Sequence, residues 1–310
     1  MKEMKILKSE TLLLLTVYFV LTFNISFAGG FRAENLINKE VRNGIVYYKN
    51  ESKPYSGKFT AENIEEEYQL GIKNGFFKGE FTEDNIKYTY EGRYIEGIKH
   101  GEWIIRYPSG HKKAVVKYNY DKPYGKWSYF FEDNQIESYE NFENGSLSGE
   151  TVIFNSKGEV ITRVNYRDGL LNGPVIFYYG GDTPELKTTF VNGKINGDIK
   201  IFSRRGKELL SGVYKNNKRE NVWRFYYQKG EIKTIIPYLN GLKNGKVLIY
   251  DKGGTIIQTM SYKNGMLINP DGSIKEEDKN KVLKDNILER FKKFNRELNF
   301  RKYDQILSEI

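Results

Sequence analysis

The chain has 310 residues, room for one or two domains, and carries 49 Lys and Arg against 40 Asp and Glu, a formal charge of +9. It has no cysteine, which removes thiol catalysis, Cys-rich metal sites and disulfides from consideration. Aromatic residues make up 15% and there are 30 glycines, a balance that favours strands and tight turns over helices.

The N-terminus reads as a targeting segment. Lys2, Lys5 and Lys8 precede an apolar run from Leu12 to Phe27, which ends in Ser26-Phe27-Ala28. Small residues stand at the two positions a signal peptidase reads, so cleavage is expected after Ala28. An uncleaved anchor is the alternative, but the run is short and polar-spotted for the ~20 apolar residues a span needs. Cleavage would remove three Lys and two Glu and leave +8. The expected destination is outside the cytoplasm, secreted, periplasmic or held at the envelope. A basic exported chain favours anionic lipid, polysaccharide or acidic protein as partner, and export argues against nucleic acid.

Residues 29–93 read as a cap followed by irregular repeats. The stretch "YYKNESKPYSGKF" at 47–59 looks like an eroded unit. "YQLGIKNGFFKGEF" is clearer, with Tyr68, Gly71 and Gly75, and stands 26 residues before the next unit. Residues 31–46 and the acidic Glu65-Glu66-Glu67 are expected to form a capping or edge region, since terminal repeats are atypical and a bare edge aggregates.

A regular array then runs over residues 94–270. Stepping by 24 residues reaches Gly97, Asp121, Gly145, Gly169, Gly193, Asn217, Gly241 and Gly265. All are residues that tolerate positive φ. Four residues later stand Gly101, Gly125, Gly149, Gly173, Gly197, Asn221 and Gly245, and three residues before each anchor stands Tyr or Phe. Trp103, Trp127, Thr151, Val175, Ile199, Trp223 and Val247 fall six residues after the anchor, with Ile105, Tyr129, Ile153, Phe177, Ile201, Phe225 and Ile249 two further on. That spacing puts both columns on one face of a strand. The next residue, often aromatic (Phe130, Phe154, Tyr178, Phe202, Tyr226, Tyr250), points to the other face. Each unit therefore reads as strand, turn, strand, turn. The expected fold is all-β, an elongated antiparallel sheet of repeated hairpins, advancing by roughly 10 Å per unit.

The last segment, 271–310, changes character after Asn269-Pro270-Asp271-Gly272. Ser273-x-x-Glu276 makes a capping box, and Leu283, Ile287, Phe291, Phe294 and Leu298 recur at helical spacing. The helix is expected to cover the last strands or, alternatively, to dock a partner or membrane.

The units "YIEGIKHGEWIIRYPSG", "YRDGLLNGPVIFYYGG" and "YLNGLKNGKVLIYDKGG" resemble MORN repeats, in the bacterial variant form of YwqK-type antitoxin-family proteins. The resemblance covers roughly residues 47–270. It implies an extended sheet of hairpins and, for function, an interaction scaffold, in some members linked to membranes or phospholipids. It carries over no catalytic residue, and an export signal departs from a cytosolic antitoxin.

Candidate chemistry is sparse. "GLKNGK" at 241–246 approaches a phosphate-binding loop, but that loop needs four residues between its glycines and Ser or Thr after Lys; here there are three, and Val247 follows. The glycines at 97, 101, 145, 149, 169, 173, 193, 197, 241, 245 and 265 are read instead as structural turn residues. His100 and His111 stand in neighbouring loops without carboxylates at ligand spacing, and no cofactor or metal is expected. No nucleophile–base arrangement can be composed, so the chain is read as a non-enzyme. Trp103, Trp127 and Trp223, with Phe130, Tyr178, Tyr226 and Tyr250, are the candidate partner-binding aromatics. The three Trp would stack sugars if open, or form the largest rungs of a packed ladder. The reading is an exported scaffold that binds a protein through its sheet. Its alternatives are an envelope module for anionic lipid or polysaccharide, and a toxin-neutralising or effector-like protein docking through the C-terminal helix.

Overall fold

The computed structural model describes residues 32–273, residue 287 and residues 289–293. The expected signal segment, and all of the C-terminal helix beyond the short stretch around Phe291, lie outside the described residues. The chain divides into two compact units, Met1–Lys122 and Pro123–Ile310. Among the described residues no helix is long and apolar enough to cross a membrane.

In the first unit an antiparallel meander runs through Gly57–Ala61, Ile64–Gln69, Ile72–Glu83, Ile86–Ile95, Ile98–Arg106 and Lys112–Asn119. Two features depart from the sequence reading. The sheet is not wholly antiparallel, because Ala33–Asn35 adds in parallel to Gly57–Ala61. A short 3₁₀ turn and the separate Lys39–Arg42/Ile45–Tyr48 hairpin supply the crossover that a parallel pair requires. The acidic run Glu65-Glu66-Glu67 is not an edge either; its strand is paired on both sides. Its charge is tolerated there because Lys58 meets Glu65 at 2.5 Å, Lys39 meets Glu66 at 2.6 Å, and Glu67 accepts the Phe76 amide at 2.7 Å. The 26-residue step also has a local cause. The hairpin Ile72–Glu83/Ile86–Ile95 closes through a two-residue turn with both Asp84 and Asn85 at positive φ, and it pairs without a bulge.

In the second unit the meander continues by the same rule from Gly125–Phe130 to Ile256–Lys263 and the short Met266–Ile268. Each period holds three backbone devices. The anchor and the residue before it both take positive φ (Asn144 50° and Gly145 86°, Asn240 51° and Gly241 90°), the primed turn that matches strand twist. The residue four later is again at positive φ, from 59° at Asn221 to 129° at Gly197, and kinks the strand. At the opposite end a five-residue turn closes, as where Asp251 N–H donates to Thr255 O and Gly254 N–H to Asp251 O; a one-residue bulge falls between Ile249 and Tyr250.

Successive anchor turns are bonded to one another. Gly145 N–H donates to Pro123 O, Gly169 to Leu147, Gly193 to Leu171, Asn217 to Ile195, Gly241 to Arg219 and Gly265 to Lys243, at 2.8–3.1 Å. Where the anchor is not glycine its side chain adds a bond: Asn217 Oδ1 accepts Ile195 N–H at 2.7 Å, and in the first unit Asp121 Oδ1 accepts Lys99 N–H at 2.7 Å. These residues therefore do more than tolerate positive φ; they satisfy a turn amide that would otherwise need water.

Candidate functional site

One face of each sheet carries the aromatic rungs. Trp103, Trp127 and Trp223 are 0%, 2% and 0% exposed, so they are the largest pieces of the ladder and offer no open stacking platform. Two of them need a glycine opposite. A Cβ on Gly92 would fall inside the indole of Trp103, and one on Gly212 inside that of Trp223. Neither glycine has a positive φ; each is there because the ring lies directly on its Cα. The other candidate aromatics, Phe130, Tyr178, Tyr226 and Tyr250, are half-buried on the opposite face, and Tyr226 shares a hydrogen bond with Ser211 at 3.2 Å. That face is closed in places: Val152 is fully buried between its register partners Tyr139 and Arg163, whose polar tips meet at Glu150.

The column that differentiates the aromatic face is two residues after the anchor, and it escaped the sequence reading. In the first unit it holds Lys73 and Lys99. Lys73 Nζ lies 4.7 Å from the Tyr94 ring, and Lys99 Nζ 5.6 Å from Tyr118. Burial holds the Lys73 ammonium below its ordinary pKa, while the facing rings stabilise its charge. In the second unit the column begins apolar, with Leu147, Leu171 and Ile195, and turns cationic at Arg219 and Lys243. Arg219 covers Trp223 at 4.7 Å and donates to the Tyr238 hydroxyl at 3.1 Å; Lys243 covers Tyr262 at 4.6 Å.

The apolar section is where the C-terminal helix lands, not on the last strands. Phe291 is buried, stacked on Phe177 (centroids 5.5 Å apart) and edge-on to Phe190 (5.0 Å), within a cluster that includes Leu171, Val175, Ile195 and Ile199. Ile287, one turn earlier, packs against the same cluster. Arg290 orients the helix: its guanidinium makes two bonds to Glu185, 2.7 and 2.8 Å, and lies 4.8 Å from the Phe177 ring. The guanidinium, through those hydrogen bonds, lowers the Glu185 carboxyl pKa below its ordinary value. The local signal that marks this section is the change from Lys to Leu or Ile after the anchor, as in "GIKHG" against "GLLNG".

His100 and His111 make local contacts. The His100 ring stands edge-on to Tyr120 at 5.5 Å, and His111 closes the five-residue turn through its carbonyl. Among the described residues no group of three or more His, Asp or Glu could hold a metal ion.

The family description "MORN repeat variant" matches residues 219–240 and 243–264, two adjacent repeats whose starts are 24 residues apart, the period of the whole array. No curated protein matches the chain.

Proposed function

We propose that the protein is an exported, non-enzymatic repeat scaffold whose aromatic sheet face binds helical segments of a protein partner. The observation that carries the reading is the seating of Phe291 between Phe177 and Phe190 with Arg290 clamped on Glu185. A single apolar anchor in a pocket, oriented by a bidentate pair at its rim, is how an amphipathic helix is recognised in a groove. The chain's own C-terminal segment is the first ligand of that face, and a partner helix with the same aromatic–basic pair would compete for it. The alternative, a toxin-neutralising or effector-like protein, would instead dock its partner through the C-terminal helix itself.

The test adds a peptide spanning residues 281–300 in trans to the chain carrying Phe291→Ala. Saturable binding, lost when the peptide carries the same change, supports the reading. Equal binding of both peptides overturns it.

A second reading has its own observation. Lys73 and Lys99 in the first unit, and Arg219 and Lys243 in the second, each hold positive charge over a ladder ring, an arrangement suited to anionic lipid headgroups or acidic polysaccharide. Retention on anionic vesicles at low salt that falls when Lys243 is changed to Gln would favour it. Export itself is tested by the N-terminal sequence of the mature protein, expected to begin at Gly29.

A further inference from the structure

The last complete hairpin of the second unit ends in an edge unlike the strands before it. In the preceding period Thr234 and Ile235 pair outward with Ile249 and Leu248. Their equivalents one period on are Gln258 and Thr259, and among the described residues no strand pairs with them on that side. The cause is a shortened unit. The five-residue turn begins ten residues after Gly241, at Asp251, but only four residues after Gly265, at Asn269, with the same bonds (Asn269 N–H to Ser273 O, 2.8 Å). Met266–Ile268 therefore reaches only Ser261, Tyr262 and Lys263. Among the described residues Ile256 to Met260 is left as an open antiparallel edge, with Ile256 and Ile257 50% and 63% exposed.

An edge left to water is usually guarded by charge, proline or a bulge. Here the guard is inverted. The equivalent stretches of this unit ending at Phe142, Tyr166, Phe190, Tyr214 and Tyr238 each contain Lys, Arg, Glu or Pro, although they are paired on both sides. The open one, Ile256–Tyr262, contains none, and the chain is uncharged from Gly253 through Tyr262.

We propose that this edge is where a second copy of the chain adds, antiparallel, across a twofold axis at Gln258. The partner is argued from the edge itself. A chain of net charge +9, or +8 without residues 1–28, repels its copy, and this uncharged stretch lets two copies meet without opposed like charges. An antiparallel edge is also self-complementary, which a closed twofold contact requires. About Gln258 the pairs are Ile256 with Met260 and Ile257 with Thr259, so an apolar or β-branched side chain meets another on each face.

Two experiments on the full chain test this. Sedimentation over a concentration series should show a twofold rise in mass. Ile257→Lys with Thr259→Lys, both at exposed positions, should give monomer, as should the matching double change to Glu; an equimolar mixture of the two should restore the dimer, because each Lys then faces a Glu. Since the chain lacks cysteine, Gln258→Cys should cross-link under mild oxidation, and Val191→Cys, exposed in the same unit, should not. A wild-type chain that stays monomeric at every concentration, as it would if its own residues after Ser273 covered the edge, overturns the proposal. So does a dimer that persists in both charged variants with unchanged melting temperature.

Discussion

The two units use one repeat to make two different surfaces. In the first, the position after the turn is Lys, and each ammonium lies on a tyrosine of the ladder: Lys73 on Tyr94, Lys99 on Tyr118. In the second, the same position is Leu or Ile for three periods, and there the ladder takes a phenylalanine from more than a hundred residues away. The antiparallel hairpins and the turn-to-turn hydrogen bonds recur in both, although the Ile72–Glu83/Ile86–Ile95 hairpin of the first unit closes without a bulge. One side chain per period therefore decides whether the face presents charge over rings or an apolar seat, without altering the backbone that carries it. The physical reason is that the side chain of this residue touches the ladder, while its part in the turn-to-turn hydrogen bonding is made by its backbone.

The comparison breaks most sharply at Phe291. Changing Phe291→Ala should cost about 3 kcal/mol, the usual penalty for emptying a buried aromatic seat. The loss should show as faster amide exchange around residues 171–199 and leave exchange in the first unit unchanged. A first unit that loosens equally would mean the two are not separate in stability.

Next come the glycines under the indoles. Gly92→Ala and Gly212→Ala should each cost about 2 kcal/mol, because the added methyl overlaps a fully buried ring. The effect should be of similar size in both units, since this device is common to them. Trp103→Val should relieve Gly92→Ala, which thermal melts of the double variant would reveal.

The stretch "YLNGLKNGK" distinguishes backbone from side chain. Gly245→Val should destabilise by ~1–3 kcal/mol, since its φ is 120° and its Cβ would stand 2.9 Å from the Pro237 ring. Gly241→Val should cost less within that range, as its nearest neighbour, Lys218, is 3.6 Å away and flexible. Lys246→Ala should change almost nothing, and denaturant midpoints of the three variants would rank them.

The smallest effect expected is the pH response of the helix seat. The Glu185 pKa is lowered by Arg290, so its contribution is present above the ordinary carboxyl value of about 4.3 and is lost as pH falls through the lower folded value. The pair is partly exposed, so at most about 1 kcal/mol is involved. Glu185→Gln should remove this acid sensitivity of helix docking. If the wild-type seat is equally tight below that range, the pair does not orient the helix.

Much of the architecture was legible along the chain. The 24-residue step, the turn at each anchor and the alternation of the columns are statements about neighbours within a hairpin, and periodicity records such neighbours directly. Less of the candidate site was legible. The Lys-to-Leu change after the anchor was visible in the letters, but its meaning depended on which ring lay beneath it. The acidic run at Glu65-Glu66-Glu67 looked like an edge because charge usually marks water; its cations come from Lys39 and Lys58, on other strands.

By itself, then, the amino-acid sequence determined the repeat, its turns and the face each side chain takes, because positive φ and two-residue alternation are local properties. The tertiary structure alone decided the parallel strand at Ala33–Asn35, the indole-over-glycine contacts and the landing of Arg290 on Glu185, 105 residues apart. Those contacts depend on which segments are brought together in space, and a repeat whose units are nearly equivalent gives a returning segment many similar places to land. The fine differences between units, one leucine or lysine at a time, select among them.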